Sequence, residues 1–192
     1  MLGATKETTL STAILGTSTF TMRIIGLDID GSGVITFDSK YLTAEKADTD
    51  LLNTYQDNFY DYCNAKPYIK SLSKGTAAAD KSRNGAVTYA DYYVWSLSER
   101  EVNLDKYSGI SVANSTLTKA ECTYGVNQPY PYFTSNDKRK KVITNSSTSN
   151  AWLIRSKGLI TPLGTMPLGI GKGGDVTYSE TLKKFSPCFA IG

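Results

Sequence analysis

Ala151-Trp152-Leu153-Ile154-Arg155-Ser156 and Phe185-Ser186-Pro187-Cys188-Phe189-Ala190-Ile191-Gly192 are the two stretches on which the fold turns. Both read as strands. A strand carrying Phe185, Cys188, Phe189 and Ile191 is too apolar to lie in water, so it is expected to be inserted in a sheet, most simply beside the Trp152 strand, closing the fold late. Between the two lies Lys157 to Lys184, where Pro162, Pro167, Gly164, Gly169, Gly171, Gly173 and Gly174 predict irregular structure over most of the length. A long loop framed by paired strands is a usual place for a binding surface.

The composition sets the outer bounds. A chain of 192 residues, 40% hydrophobic and 20% charged, is long enough for one well-packed domain and too apolar for disorder. With 13 Tyr against 6 Phe and 2 Trp, tyrosine is the outlier; its rings can fill a core poor in Leu and Ile or furnish an interaction surface. The 21 basic and 18 acidic residues are mixed along the chain and leave a net charge of +3, which argues against a nucleic-acid partner. The basic run Lys138-Arg139-Lys140-Lys141 reads as a solvated loop face. The sequence contains no histidine, which removes Ser-His-Asp and Cys-His catalysis and the commonest zinc sites. Cys63, Cys122 and Cys188 are scattered and odd in number, so reduced, mostly buried thiols made in a cytoplasm are expected rather than a disulfide framework or a metal site. Met1 to Gly16 lacks a basic stretch ahead of an apolar one, so no signal peptide is expected, and no window is apolar enough for membrane insertion.

Along the chain, residues 1–19 read as an extended N-terminal arm or an edge strand, and residues 20–192 as one domain. Phe20 to Ile25 and Val34 to Phe37 alternate as a hairpin with its turn at Asp30-Gly31-Ser32-Gly33. Asp28-Ile29-Asp30-Gly31 resembles the start of a calcium loop, but Ser39 occupies the position that needs a bidentate Glu, and the hairpin turn is the better reading. Asp48-Thr49-Asp50 caps a helix predicted from Leu51 to Cys63, with Leu52, Tyr55, Phe59 and Tyr62 on its buried stripe and Pro67 beyond its end. Residues 70–88 read as a loop with one helical turn. Tyr89 to Trp95 reads as a strand, Ser96-Leu97-Ser98-Glu99 as a capping box and the residues to Leu104 as a short helix. Lys106 to Ser149 reads as largely irregular.

Five elements carry a family resemblance by their order: the Met22-to-Gly33 hairpin, Asp57-Asn58-Phe59-Tyr60, Val94 to Val102 (VWSLSEREV), the Trp-Leu-Ile-Arg-Ser strand, and the closing Pro187-to-Ile191 strand. Together they resemble an uncharacterised domain family, common in phages and gut bacteria, whose members look like C-type-lectin folds related to the formylglycine-generating enzymes. Two positions depart from the family pattern, Ile154 between Leu153 and Arg155, and Ser186 where an Arg is usual. The resemblance implies an α+β, C-type-lectin-like fold of small antiparallel sheets, one or two helices and long irregular loops. It also implies that Trp152 and Arg155 are structural, with Arg155 pairing to a carboxylate or to carbonyls beneath the Gly-rich loop.

Three function classes follow. The first is a non-enzymatic phage virion structural protein, a capsid decoration or tail component, made in the host cytoplasm, oligomeric and in contact with other virion proteins. The second is an adhesion module binding a surface glycan or receptor on a phage tail or bacterial surface; its ring-stacking candidates are Tyr124, Tyr130 and Tyr132, with Asn127 and Gln128 to hydrogen-bond sugar hydroxyls, against the alternative that these tyrosines pack the loops onto the core. The third is an enzyme of the formylglycine-generating type, disfavoured because that chemistry uses a pair of nearby cysteines to bind copper and no such pair is recognisable. Glu99 and Glu101, two apart on a predicted helix, offer no hydrolytic dyad, and no catalytic residue, metal or cofactor is expected.

Overall fold

The computed structural model describes residues 1–12, 16–42, 59–77, 86–104, 111–112, 115–118, 128–143, 146–161, 164–178, 184 and 186–192. They form small, mainly antiparallel sheets; among them helix is confined to residues 59–62, a 3-10 turn at Lys66–Tyr68 and one α-turn at Asn136–Arg139. The largest sheet begins with a long hairpin, β1 (Thr5–Thr12) against β2 (Gly16–Leu27), and continues through β3 (Ile35–Ser39). Of the two readings of the first residues, the edge strand is the one found. The outer side of β1 meets Asn64, which donates its N–H to the Thr9 carbonyl and accepts the Thr9 N–H on its side-chain oxygen.

The β2–β3 turn falls where the Asp-Gly signal puts it. Asp28 adopts a left-handed φ of 57° and its carboxylate accepts the Gly33 N–H at 2.6 Å, so it serves as a turn device. The register of β2 against β3 shifts between Ile24 and Gly26, where a bulge brings the backbone under the Tyr130 ring. A Cβ on Gly26 would lie 2.8 Å from that ring, which is why the position has no side chain.

The closing strand, β16 (Pro187–Ile191), is inserted in a sheet, but in this one and not beside the Trp152 strand. It pairs with β3 on one side, and on the other with β5 (Ile69–Lys70) and β8 (Val94–Ser96). The Trp152 strand, β13 (Trp152–Thr161), has its neighbours elsewhere: β14 (Gly164–Ile170), β10 (Ser115–Thr118) and the carbonyls of Leu97 and Lys184. The predicted irregular loop from Lys157 is likewise corrected, because β13, β14 and β15 (Val176–Tyr178) form a meander through it, in a sheet that β10 and β9 (Ser111–Val112) complete. Pro167 falls where the β13–β14 register shifts and β15 no longer pairs, a place where a missing N–H is tolerated. Gly174, at φ 85°, turns between β14 and β15 with a Cβ position only 2.0 Å from the Asn136 carbonyl oxygen, so no other residue fits.

Three other expectations change. Of residues 70–88, expected as a loop, 72–77 and 87–88 lie instead in the antiparallel pair β6 (Leu72–Ala77) and β7 (Val87–Tyr92), and 78–85 lie outside the described residues; β7 is mostly exposed, so it lacks the apolar alternation that announces a strand. The strand expected at Tyr89 to Trp95 is broken at Tyr93 into β7 and β8. The helix expected after Ser96 is a single turn whose capping box lies two residues later: Ser98 N–H donates to Glu101 Oε2 at 2.8 Å, and Glu101 N–H to Ser98 Oγ at 3.2 Å. Asn103, at φ 58°, ends the turn at once, with N–H bonds from Asn103 to Arg100 O and from Leu104 to Glu99 O. A three-stranded sheet of β12 (Ser149–Asn150), β11 (Lys141–Ile143) and β4 (Tyr41–Leu42), with β4 and β11 parallel, completes the set.

Leu52 and Tyr55 of the predicted helix lie outside the described residues. Phe59 is buried as expected, edge-on to Phe20 at 5.3 Å and 6.0 Å from Phe189, whereas Tyr62 is 50% exposed because the helix stops at that residue. Phe189 also stacks on Phe37 at 5.6 Å, so the closing strand fills the centre of the core as well as of the sheet.

Removal of Pro187–Gly192 should therefore abolish cooperative unfolding. It takes away buried Cys188, Phe189 and Ala190 and strands the edges of β3 and β8, and Phe189 alone contributes about 1.5–3 kcal/mol of a stability of about 5–15 kcal/mol. Thermal unfolding followed by circular dichroism checks this; a truncated chain melting cooperatively near the parent's temperature would contradict it.

Candidate functional site

The residues that the sequence offers for binding meet, in the fold, two clusters of buried charge. Tyr130 leads a segment without regular structure whose main chain is tied down at Tyr130 N–H to Glu101 O (3.0 Å) and Tyr132 N–H to Ile25 O (3.3 Å). Its ring is 1% exposed. Its hydroxyl donates to Asp30 at 2.9 Å and accepts from Lys74 Nζ at 2.9 Å. Lys74, on β6, also meets Asp30 Oδ1 at 2.7 Å and Glu101 Oε1 at 3.1 Å, and its ammonium lies 4.5 Å from the Trp95 ring centroid. Glu101, fully buried, is held on its other oxygen by the Ser98 N–H and by Arg155 at 3.2 Å.

Arg155 bonds the carbonyls of Ser96 and Gly75 and the Thr76 hydroxyl, besides Glu101. It therefore pairs with a carboxylate and carbonyls as expected, although the cover is the β6–β7 hairpin rather than a Gly-rich loop. Burial, the largest influence on Glu101, would raise its pKa; Arg155 and Lys74 outweigh it and hold the carboxyl below its ordinary value. Lys74 shows the converse balance, with burial lowering its pKa and Glu101 and Asp30 more than restoring it.

The second cluster explains the basic run. Lys138 is exposed, but Arg139 is 8% exposed and Lys141 1%, so the run is not a uniform solvated face. Arg139 donates to the carbonyls of Val102 and Asn103 and so satisfies the C-terminal end of the capped turn. Lys141 reaches Asp38 Oδ2 at 2.5 Å and the Ser39 carbonyl. Asp38 is also gripped by Arg23 through two bonds of 3.0 and 2.7 Å, and the Arg23 guanidinium lies over Tyr132, 4.1 Å from the ring centroid and bonded to its hydroxyl at 2.9 Å. Two cations face one carboxylate. Burial dominates Lys141 and lowers its pKa, Asp38 opposes and Arg23 adds to the fall, and the outcome is about 8. Asp38, raised by burial, is lowered further by Arg23 and Lys141.

Of the five ligand candidates, Tyr124 and Asn127 lie outside the described residues. Gln128 is exposed, Tyr132 half-buried under Arg23, and Tyr130 is in the core, where a ring has no free face for a sugar. What sequence reasoning did not single out is a second aromatic group: Tyr60 and Tyr93 stack at 4.2 Å, Lys66 sits 4.7 Å over Tyr60, and Tyr93 is 45% exposed. Tyr62, Tyr68 and Tyr89 are also exposed. Spacing gave no sign of the pair, since residues 60 and 93 belong to different elements.

Among the described residues no three His, Cys, Asp or Glu side chains gather as a metal site. Cys63 and Cys188 are buried free thiols, and burial, then Glu101 and Asp38, push the Cys188 thiol well above its ordinary value, away from thiolate chemistry. Cys122 lies outside the described residues. Glu99 and Glu101 are both buried, with Glu101 committed to its cations.

Lys141 is the surplus cation of its cluster, and Lys141→Met removes it while Asp38 keeps Arg23 and the Ser39 carbonyl keeps the Ser186 hydroxyl at 3.1 Å. Because Arg23 still neutralises Asp38 while the desolvation cost of the buried ammonium is removed, the variant should be neutral to stabilising by about 1 kcal/mol at neutral pH. The pH dependence follows from the lowered folded value: between about 8 and 10.5 the unfolded chain holds the Lys141 proton and the folded chain does not, so this group's contribution to stability rises with pH. The advantage of Lys141→Met over wild type should thus shrink across that interval. Paired denaturant titrations test it, and a variant several degrees less stable at neutral pH would contradict the surplus-charge account.

No family model, curated protein or solved structure matches the chain, so what the site does has to be inferred from its own residues.

Proposed function

We propose that the chain is a non-enzymatic structural protein of a phage particle, a capsid decoration or tail component that displays a C-type-lectin-like domain and contacts copies of itself or other virion proteins. The observation that carries the reading is β1. It is the edge of the largest sheet, its exposed Thr5, Lys6 and Glu7 are polar or charged, and on its outer side Asn64 occupies only the Thr9 position among the described contacts. Such an edge can pair with a strand of a neighbouring subunit. The resemblance to phage domains supports the setting. The interior supports a structural role, since Asp38 and Glu101, the fully buried carboxylates of the two clusters, are held by their cations below the ordinary carboxylate range, unlike the raised carboxyl that acid catalysis needs.

The second reading is an adhesion module for a surface glycan or receptor, favoured by the exposed Tyr93 stacked on half-buried Tyr60, with Lys66 and Asp61 bonded beside the pair at 2.8 Å. An aromatic face flanked by charged hydrogen-bonding groups suits a sugar ring.

Hydrogen exchange on purified chain and on intact particles decides between the two. Amides of residues 5–12 should be slower in particles than in the free chain, with the rest of the sheet unchanged. Equal exchange in both states, or absence of the chain from particles, would leave the glycan reading ahead.

A further inference from the structure

Lys74, Asp30 and Glu101 form an arrangement that the structural role does not require. A buried amine touches one carboxyl, Asp30 Oδ1 at 2.7 Å, while a second carboxylate, Glu101 Oε1, stands 3.1 Å away. The oxygens of Glu101 differ in their duties. Oε2 is taken by the Ser98 N–H and by Arg155, whereas Oε1 accepts no hydrogen bond in good geometry from any described group and faces the lysine alone. The oxygens of Asp30 differ too: Oδ1 faces the amine, and Oδ2 receives the hydroxyls of Thr36 at 2.5 Å and Tyr130 at 2.9 Å. Lys74 and Glu101 side chains are 5% and 0% exposed, and Trp95 and Tyr130 flank the ammonium.

We propose that Lys74 and Asp30 join in a self-catalysed amide cross-link, an isopeptide bond, with Glu101 as the proton carrier. Glu101 Oε1 takes a proton from the Lys74 ammonium and delivers it to Asp30 Oδ1, and the neutral amine attacks the carbon of the carboxyl so neutralised. Negative charge gathers on Oδ2, where two hydroxyl donors already point. The N–C bond forms, the bond from that carbon to Oδ1 breaks, and the two protons lost by nitrogen leave with Oδ1 as one water, Glu101 ending as the carboxylate it began as. No oxidant, metal or cofactor enters the balance.

Two physical terms favour the product. The reacting groups are held together by the fold, which replaces a bimolecular encounter with an intramolecular one. The amide also replaces a largely buried ion pair, removing the desolvation that two opposite charges carry out of water. Opposing them, Glu101 and Asp30 keep Lys74 protonated, so the reaction proceeds through the minor neutral form and completes slowly after folding. The Asp30 side chain, at 12% exposed, leaves a way out for the water. The link would tie the β2–β3 turn to the β6–β7 hairpin.

The folded full-length chain, aged after purification and then denatured, is read by intact-mass spectrometry. The expected mass is below that of the sequence by one water, and a digest should contain a branched peptide joining Lys74 to Asp30. Lys74→Arg and Glu101→Gln should keep the full mass. A succinimide at Asp30-Gly31 also loses one water, so hydroxylamine treatment and the Lys74→Arg variant separate the two. Full mass in the cooperatively folding wild-type chain overturns the proposal, as does a water loss that Lys74→Arg retains or that yields no branched peptide; the wild-type digest decides the matter even if a variant fails to fold.

Discussion

The rest of this structure depends on one carboxylate. Asp38 sits on β3, next in register to Arg23 on β2 and to Cys188 on the closing strand, and its side chain is wholly buried. Arg23 neutralises it within the same sheet, and Lys141 reaches it from the three-stranded sheet, so a single side chain ties two sheets and three strands together. Taking such a charge out of water is expensive, and the two-bond fork of Arg23 makes it tolerable, with Lys141 a second cation held against the same carboxylate. The hydrogen bonds fix geometry more than they add stability. Arg23 lies over Tyr132 and bonds its hydroxyl, which helps hold the Tyr130–Phe133 segment that main-chain bonds to Glu101 and Ile25 also tie down.

The Glu101 cluster repeats the device at the other end of that segment. Glu101 is anchored by its own capped turn, receives Lys74 and Arg155 from separate elements, and leaves Tyr130 to close the lid over Asp30. Specificity comes from the demand that every partner be present, because a buried charge without its counter-ion is far costlier than a misplaced apolar group. A protein with small sheets and many connections gains a unique arrangement in this way. It also brings an amine and two carboxylates within reach in a nearly dry site, the condition for covalent chemistry between them.

Some of this was legible in the residues. The Asp-Gly turn, the insertion of the Phe189 strand in a sheet and the S-x-x-E pattern near Glu101 each rest on local chemistry, and each reappears, the capping box displaced by two residues. The neighbours of the closing strand were not legible, because an apolar strand shows that it is buried without showing beside what. The mostly exposed strand β7 lacks apolar alternation, and the meander after Lys157 carries Gly and Pro that its pairing and turns tolerate. The charge clusters were hidden for a different reason. Lys138-Arg139-Lys140-Lys141 looks like a solvated run until its alternate members are seen to point inward, and the partners Asp38, Val102 and Asn103 are far away in sequence. Tyr130, a candidate for stacking on a sugar, was read as one of two possibilities, and its burial puts it on the packing side.

A double-mutant cycle on Arg23 and Asp38 addresses the central claim most directly. Arg23→Met, Asp38→Asn and the pair together would be compared with wild type by equilibrium unfolding in denaturant. If the Asp38 carboxylate and its Arg23 fork organise the core, each single change costs about 3–5 kcal/mol by breaking a buried pair, and the double variant recovers a large part of that loss. Strictly additive losses, or single changes that leave stability within about 0.5 kcal/mol of wild type, would mean that this pair adds nothing to the apolar packing around it.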